Sequence, residues 1–222
     1  PLASATAVLT DDERDLGVCL IDIGGGTTDI AVWTQGAIRH TSVIPIAGDQ
    51  ITNDIAMALR TPTREAEDIK CKYGCALSQL ADVHQNIDVA GVDDRPSRSL
   101  SRRALADVIQ PRVEELYELI QNELRRAGFE EVLSSGIVLT GGASVMPGMV
   151  ELGEEIFHMP VRLGNPKYQG SLADVVQSPH FSTSFGLLLE AQAQRKRGQK
   201  IQEKQGIKDV FSSMKDWFVK NF

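Results

Sequence analysis

The residues best suited to chemistry lie in one stretch, Asp22-Ile23-Gly24-Gly25-Gly26-Thr27-Thr28-Asp29. Gly24, Gly25 and Gly26 let backbone amides approach an anion without Cβ clashes, which suits a phosphate. Thr27 and Thr28 add hydroxyl donors. Asp22 closes the preceding apolar run, where a carboxylate can orient a catalytic water or hold Mg2+ through retained waters. A tight hairpin uses the same glycines, so this stretch alone leaves a phosphate site and a structural turn both open.

Two further stretches change the balance. Leu139-Thr140-Gly141-Gly142-Ala143-Ser144-Val145-Met146-Pro147-Gly148 repeats the pattern of a short apolar run entering a glycine turn. Between the two turns lies the charged stretch Glu65-Ala66-Glu67-Asp68-Ile69-Lys70.

The elements that must position these residues follow from the apolar pattern. Leu16 to Ile23 reads as a buried strand, Thr27 to Trp33 as its return and Ile38 to Ile46 as a third strand, which makes a β-meander. Ile51, Ile55, Met57 and Leu59 predict a helix over 49–59, and Pro62-Thr63 opens another to about Tyr73. Residues 74–100 are less regular, with a β-like piece at Asn86 to Ala90. Ser101 caps a long helix to about Ala127, with Leu105, Val108, Ile109, Val113, Leu116, Ile120 and Leu124 on one stripe and Pro111 expected to kink or divide it. Gly136 to Thr140 is a strand, a helix follows Pro147, Val161 to Leu163 is a strand, and Thr183 to Gln194 is the last helix of an α/β body.

Composition excludes several classes. The 222 residues carry a net charge of −7, and residues 191–222 hold eight Lys or Arg against three acids, so an acidic body of −12 bears a tail of +5. Such a body repels nucleic acid, whose binding needs a basic face. No apolar run reaches the roughly 18 residues of a spanning helix. Three cysteines, Cys19, Cys71 and Cys75, fit a reducing compartment better than a disulfide framework, and Cys71 and Cys75 read as buried or half-buried helix thiols. His40, His84, His158 and His180 show no ligand spacing and read as structural or surface residues. The first residue is proline, and the expectation is a chain that begins partway through a longer protein.

Taken in order, the three stretches resemble the actin, heat-shock chaperone and sugar-kinase superfamily. Asp22 to Asp29 looks like its second phosphate loop, Leu139 to Gly148 like its adenosine loop, and Glu67 and Lys70 like the acid and lysine that hold ribose and adenine. Tyr73-Gly74-Cys75-Ala76, Arg95-Pro96-Ser97-Arg98-Ser99-Leu100 and Ile109-Gln110-Pro111-Arg112 narrow the resemblance to the FtsA family of bacterial cell-division proteins, rather than to MreB. The resemblance implies an actin-like (ribonuclease H-like) sheet domain over 1–60 and 136–195, a smaller inserted α+β subdomain over 61–135, a polar linker over 196–206 and a C-terminal amphipathic helix. It implies ATP and Mg2+ as cofactors, held by Asp22, Gly24, Gly25, Gly26, Thr27, Thr28, Glu67, Lys70, Gly141, Gly142, Ala143 and Met146, with Asp22 as catalytic and metal residue. Hydrolysis needs both walls of a closed cleft. This half alone is expected to bind ATP weakly and not to turn it over. A small-molecule kinase of the same superfamily is the alternative, and a chaperone-type ATPase a third reading.

The tail supplies a separate signal. Ile207, Val210, Phe211, Met214, Trp217, Phe218 and Phe222 recur at helical spacing beyond a basic, polar spacer of 16 residues that reaches ~22 Å. An aromatic amphipathic end beside such a spacer suits the anionic lipids of an inner membrane's cytoplasmic face, while docking onto protein fits the periodicity as well. Family resemblance adds the acidic C-terminal peptide of the tubulin-like FtsZ as partner, with Arg98, Arg102 and Arg112 as its contacts. It also implies self-association into filaments and recruitment of later division proteins.

Overall fold

Thr10 opens the first unforeseen feature. Its hydroxyl accepts from the Glu13 amide while Glu13 reaches back to the Thr10 amide, a reciprocal cap that starts helix α2 (Asp11–Leu16) just after α1 (Leu2–Val8). Leu16, expected to begin the strand, is therefore the last helical residue and 63% exposed. Gly17 ends the helix at φ +107, a conformation that L side chains avoid.

The chain then enters β1 (Val18–Ile23), β2 (Thr28–Thr34) and β3 (Ala37–Ile44), followed by α3 (Gly48–Leu59) and α4 (Thr63–Tyr73). A two-stranded ribbon, β4 (Asn86–Val89) with β5 (Arg98–Ser101), precedes α5 (Arg102–Arg126). Next come β6 (Ile137–Thr140), α6 (Met149–Phe157), β7 (Val161–Leu163), α7 (Ala173–Val176) and α8 (Ser182–Lys196). The computed structural model describes residues 1–91, 96–170 and 172–196. The chain divides into two compact units, Pro1–Leu187 and Leu188–Phe222.

Five strands form one sheet in the order β3-β2-β1-β6-β7. The β1-β2-β3 meander is antiparallel, whereas β6 runs parallel to β1 and β7 parallel to β6. Alternation along β1 divides two apolar layers. Cys19, Ile21 and Ile23 face the larger one, filled by α3, α5 and α6, while Val18 and Leu20 face Ala5 and Val8 of α1. Burial on both faces explains why β1 reads as an unbroken apolar run. Each large side chain so buried contributes roughly 1.5–3 kcal/mol.

One expectation about helices is corrected and another narrowed. Met57 is 73% exposed, because the buried stripe of α3 runs through Ile51, Ile55 and Leu59 and position 57 lies off that face at 3.6 residues per turn. Helix α5 is not divided at Pro111; Ile109 and Val113, buried on either side of it, keep one face on the core. Ser101 caps α5 as expected, its hydroxyl accepting from the Ala104 amide. Strand β5, the partner of the anticipated β4, was not legible. Its residues Arg98 to Ser101 are polar but for Leu100, and the ribbon buries only Ile87 and Val89 fully.

Candidate functional site

Parallel pairing of β1 with β6 places Asp22 opposite Thr140. Both glycine turns therefore leave the same end of adjacent strands, at the junction between the antiparallel and parallel halves of the sheet. Ligands of open α/β sheets bind in the crevice at such carboxyl ends. Gly141, at φ +88, lies so close under the first turn that a Cβ there would meet the Ile23 carbonyl oxygen at 2.4 Å and Asp22 Oδ1 at 2.5 Å.

The first turn is tied from behind. Gly24 N donates to Thr27 O at 3.0 Å, Gly48 N donates to Gly24 O at 3.1 Å, and Asp49 N donates to Gly25 O at 2.7 Å. The start of α3 thus holds the turn by its carbonyls. Among the described residues the amides of Gly25, Gly26 and Thr27 have no protein acceptor, and all three residues are exposed. This leaves a concave set of donors suited to an anion. Thr28 differs from the expectation. It is fully buried and its hydroxyl donates to Ile46 O at 2.7 Å, so it braces the turn rather than facing the opening.

Asp22 is half-buried, and its Oδ2 accepts from Thr183 Oγ1 at 3.1 Å. Among the described residues no cluster of three His, Cys, Asp or Glu side chains could hold a metal. The Asp49 carboxylate also stands against the turn, its Oδ1 3.2 Å from where a Cβ of Gly25 would lie. Separate carboxylates beside free amides fit Mg2+, which keeps waters and shares phosphate oxygens, better than a tightly caged ion.

The second turn lines a cleft of about 260 Å3, bounded by Gly142, Ala143 and Met146 together with Lys70, Gly74, Arg102 and His180. Ser144 Oγ donates to Gly141 O at 2.7 Å and locks the turn. Behind this wall stands the Lys70–Glu67 pair, 2.7 Å apart, with Lys70 9% exposed and Glu67 46% exposed. Lys70 lines this cleft, while Glu67 lines a second, more open depression beside Asp49 and Thr63, so the ion pair partitions the two. Lys70 Nζ also donates to Gly48 O at 3.0 Å and to Thr52 Oγ1 at 2.8 Å, which occupies all three of its hydrogens. Partial burial pushes the Glu67 carboxyl up, but hydrogen bonds from Lys70, Thr52 and Cys71 outweigh it and hold the group below its ordinary value. Around Gly48 all three predicted stretches meet. A Cβ there would lie 3.3 Å from Gly24 O, 3.3 Å from Lys70 Nζ and 3.6 Å from Ala143 Cβ.

Two cleft residues escaped the sequence reading. His180 covers Gly142, with its Nδ1 2.9 Å from Ser178 Oγ, and Cys71 lines the same wall. Cys71 is exposed rather than buried, and its Sγ donates to Glu67 Oε1 at 3.3 Å. Cys19 and Cys75 are buried, and burial pushes the Cys19 thiol up to about 12. Spacing along the chain gave no signal for His180, since it reaches the site only when the segment before α8 folds back across β6.

The expected partner-binding arginines do not form one free cluster. Arg112 is held by Asp54 through Nε at 2.5 Å and Nη2 at 3.1 Å, and also by Glu115. Arg98 donates to Leu59 O. Arg102 Nε donates to Tyr73 O at 2.9 Å, which turns it toward the cleft. Ile207, Val210, Phe211, Met214, Trp217, Phe218 and Phe222 lie outside the described residues, as does Arg95. Among the described residues no helix is long and apolar enough to cross a membrane.

Comparison with known proteins agrees with this geometry. The family model for cell division protein FtsA matches residues 19–186. FtsA of Pseudomonas aeruginosa is 65% identical over 188 residues, covering 85% of this chain and 45% of that protein. FtsA of Escherichia coli K12 is 45% identical over 231 residues, covering 100% of this chain and 55% of that protein. The chain thus spans about half the length of the curated relatives it matches. Among solved structures, MreB5 of Spiroplasma citri bound to ADP superposes with a TM-score of 0.71 at 19% identity, covering 89% of this chain and 60% of that one. The MamK double helical filament superposes with a TM-score of 0.60 at 17% identity, covering 86% and 58%. These likenesses show an actin-like fold, and the sequence matches are far stronger: the chain belongs to the FtsA family of cell division proteins.

Proposed function

We propose that this chain is part of an ATP-binding, actin-like division protein that anchors FtsZ to the cytoplasmic face of the bacterial inner membrane at the septum and recruits later division proteins. The observation that carries the nucleotide part is the side-by-side exit of the Gly24 and Gly141 turns from adjacent parallel strands. Solved MreB5 structures of the same fold, bound to ADP and to AMPPNP, support it.

In this reading the amides of Gly25, Gly26 and Thr27 take the phosphates, and Gly24, whose amide is bonded to Thr27 O, shapes the turn. Gly141, Gly142, Ala143 and Met146 form the adenosine wall, with Glu67 and Lys70 beside the ribose and base. Asp22 holds Mg2+ through water, and when bound the ion neutralises phosphate charge. Residues 1–60 and 136–195 make the nucleotide-binding subdomain, 61–135 an inserted one, and 196–206 a linker. Residues 207–222 lie in the lipid interface, where one tail binds reversibly and several tails on a filament bind firmly by avidity. Filament formation is supported by the MamK assembly. Arg98 and Arg102 are the preferred contacts for the FtsZ peptide, and Arg112 joins them only by leaving Asp54.

The test is co-sedimentation of the chain with vesicles containing anionic lipid, with and without residues 207–222, beside titration with ATP and Mg2+. Membrane binding that vanishes with the tail, and saturable ATP binding that survives its loss, are expected. Equal sedimentation of both chains removes the anchor, and absence of ATP binding removes the nucleotide assignment.

A further inference from the structure

The Lys70–Glu67 pair is connected to the first turn through a residue that no sequence pattern singled out. Thr52, on α3 one turn after Gly48, is 4% exposed. Its hydroxyl accepts from Lys70 Nζ at 2.8 Å and donates to Glu67 Oε2 in a short hydrogen bond, with Gly48 O 3.1 Å away. Counting hydrogens closes the arrangement. Lys70 has three, for Gly48 O, Thr52 Oγ1 and Glu67 Oε2, and Thr52 has one, for Glu67. The same Gly48 that accepts from Lys70 donates its amide to Gly24 O, the back of the glycine turn.

We propose that Thr52 is a positioning residue of this site: its hydroxyl locks the Lys70–Glu67 pair of α4 to Gly48 and so makes the base-side wall and the phosphate-side turn one rigid piece. This rests on the nucleotide reading above, but the mechanical link is a property of the chain's own residues. Removing the hydroxyl leaves Lys70, 9% exposed, short of one acceptor, and Glu67, 46% exposed, short of a donor that water can replace. The pair then re-forms out toward the open depression lined by Glu67, and the Gly48 carbonyl loses its ammonium. Networks of this kind hold their members more firmly together than singly. The turn from Gly24 to Thr27 loosens although Thr52 does not contact it.

The experiment compares wild type, Thr52→Val and Thr52→Ser as full chains, each measured well below its own melting temperature. The first readout needs no ligand: hydrogen exchange at the hydrogen-bonded amides of the two segments, Gly24 in the turn and Gly48 and Asp49 at the start of α3. Valine is expected to speed exchange in both segments by about tenfold, the loss of one hydrogen bond to a charged group, and serine to stay near wild type. The second readout is ATP affinity by calorimetry, with the same order and about the same ratio expected. Unchanged exchange in Thr52→Val, or exchange in Thr52→Ser as fast as in valine, overturns the positioning role. Faster exchange in valine without any ATP binding by wild type leaves the mechanical link standing and removes the nucleotide reading instead.

Discussion

Gly141 lies directly beneath Ile23, with room for a hydrogen but not for a methyl group: a Cβ at position 141 would stand 2.4 Å from the Ile23 carbonyl oxygen. The two glycine turns are therefore packed backbone against backbone, and their spacing is set by the absence of one side chain.

This packing predicts the behaviour of Gly141→Ala. The substitution meets both the contact with Ile23 and a φ of +88, so neither a rotamer change nor a small backbone shift relieves it. A loss of about 1–3 kcal/mol is expected, which lowers the melting temperature by about 2–4 °C for each kcal/mol at this size. ATP binding by calorimetry should fall below detection. Wild-type affinity in the alanine variant would show that the turns can separate without consequence.

Acid titration offers a second check, at the ion pair between α2 and β7. Glu13 closes the cap of α2 and receives Arg162 Nε at 2.6 Å and Nη2 at 2.8 Å. Burial pushes its carboxyl up, but the Arg162 hydrogen bonds and the Thr10 amide more than reverse this and lower it from 4.5 to about 2. A carboxylate depressed on folding stabilises fully above its unfolded value and loses that contribution as pH falls toward the folded one. Glu13→Gln should be less stable than wild type at neutral pH, and the gap in urea midpoint should close between about pH 4.5 and pH 2. A gap independent of pH would assign the effect to packing.

Charge reversal at Arg112 is expected to act on the fold first. Its guanidinium is 27% exposed and forked onto Asp54, itself 20% exposed. Arg112→Glu sets an acid against Asp54 and Glu115, with an expected cost of about 1–3 kcal/mol. The swap Asp54→Arg with Arg112→Glu should recover part of it. The family resemblance makes Arg112 a peptide contact, and its fork onto Asp54 adds a role in the fold. Circular dichroism melts of the single and double variants test that second role, and an unchanged melting temperature in the single variant would leave the surface role alone.

Much of the site was legible because each part is local. A glycine turn after a buried strand shows itself through composition, as Asp22 to Thr28 and Thr140 to Gly142 do, whereas Glu67 and Lys70 stood out from the other charges of their helix only through the family resemblance. What no local pattern carries is which hydrogen-bonding group is already used. Thr28 looks like a ligand donor until the fold buries it against Ile46 O. Arg112 looks free until α5 crosses α3 and brings Asp54, 58 residues away, into its fork.

By itself, the order of residues determined the β-meander, the two glycine turns and the apolar stripe of α5, since these depend on periodicities of two and 3.6 and on backbone freedom at glycine. Only the tertiary structure decided that the turns share one crevice, that Gly48 is where the three stretches meet, and that His180 closes over Gly142. Those outcomes hang on parallel pairing of β1 with β6, a contact between residues more than a hundred positions apart, and on side chains competing for a fixed number of donors and acceptors.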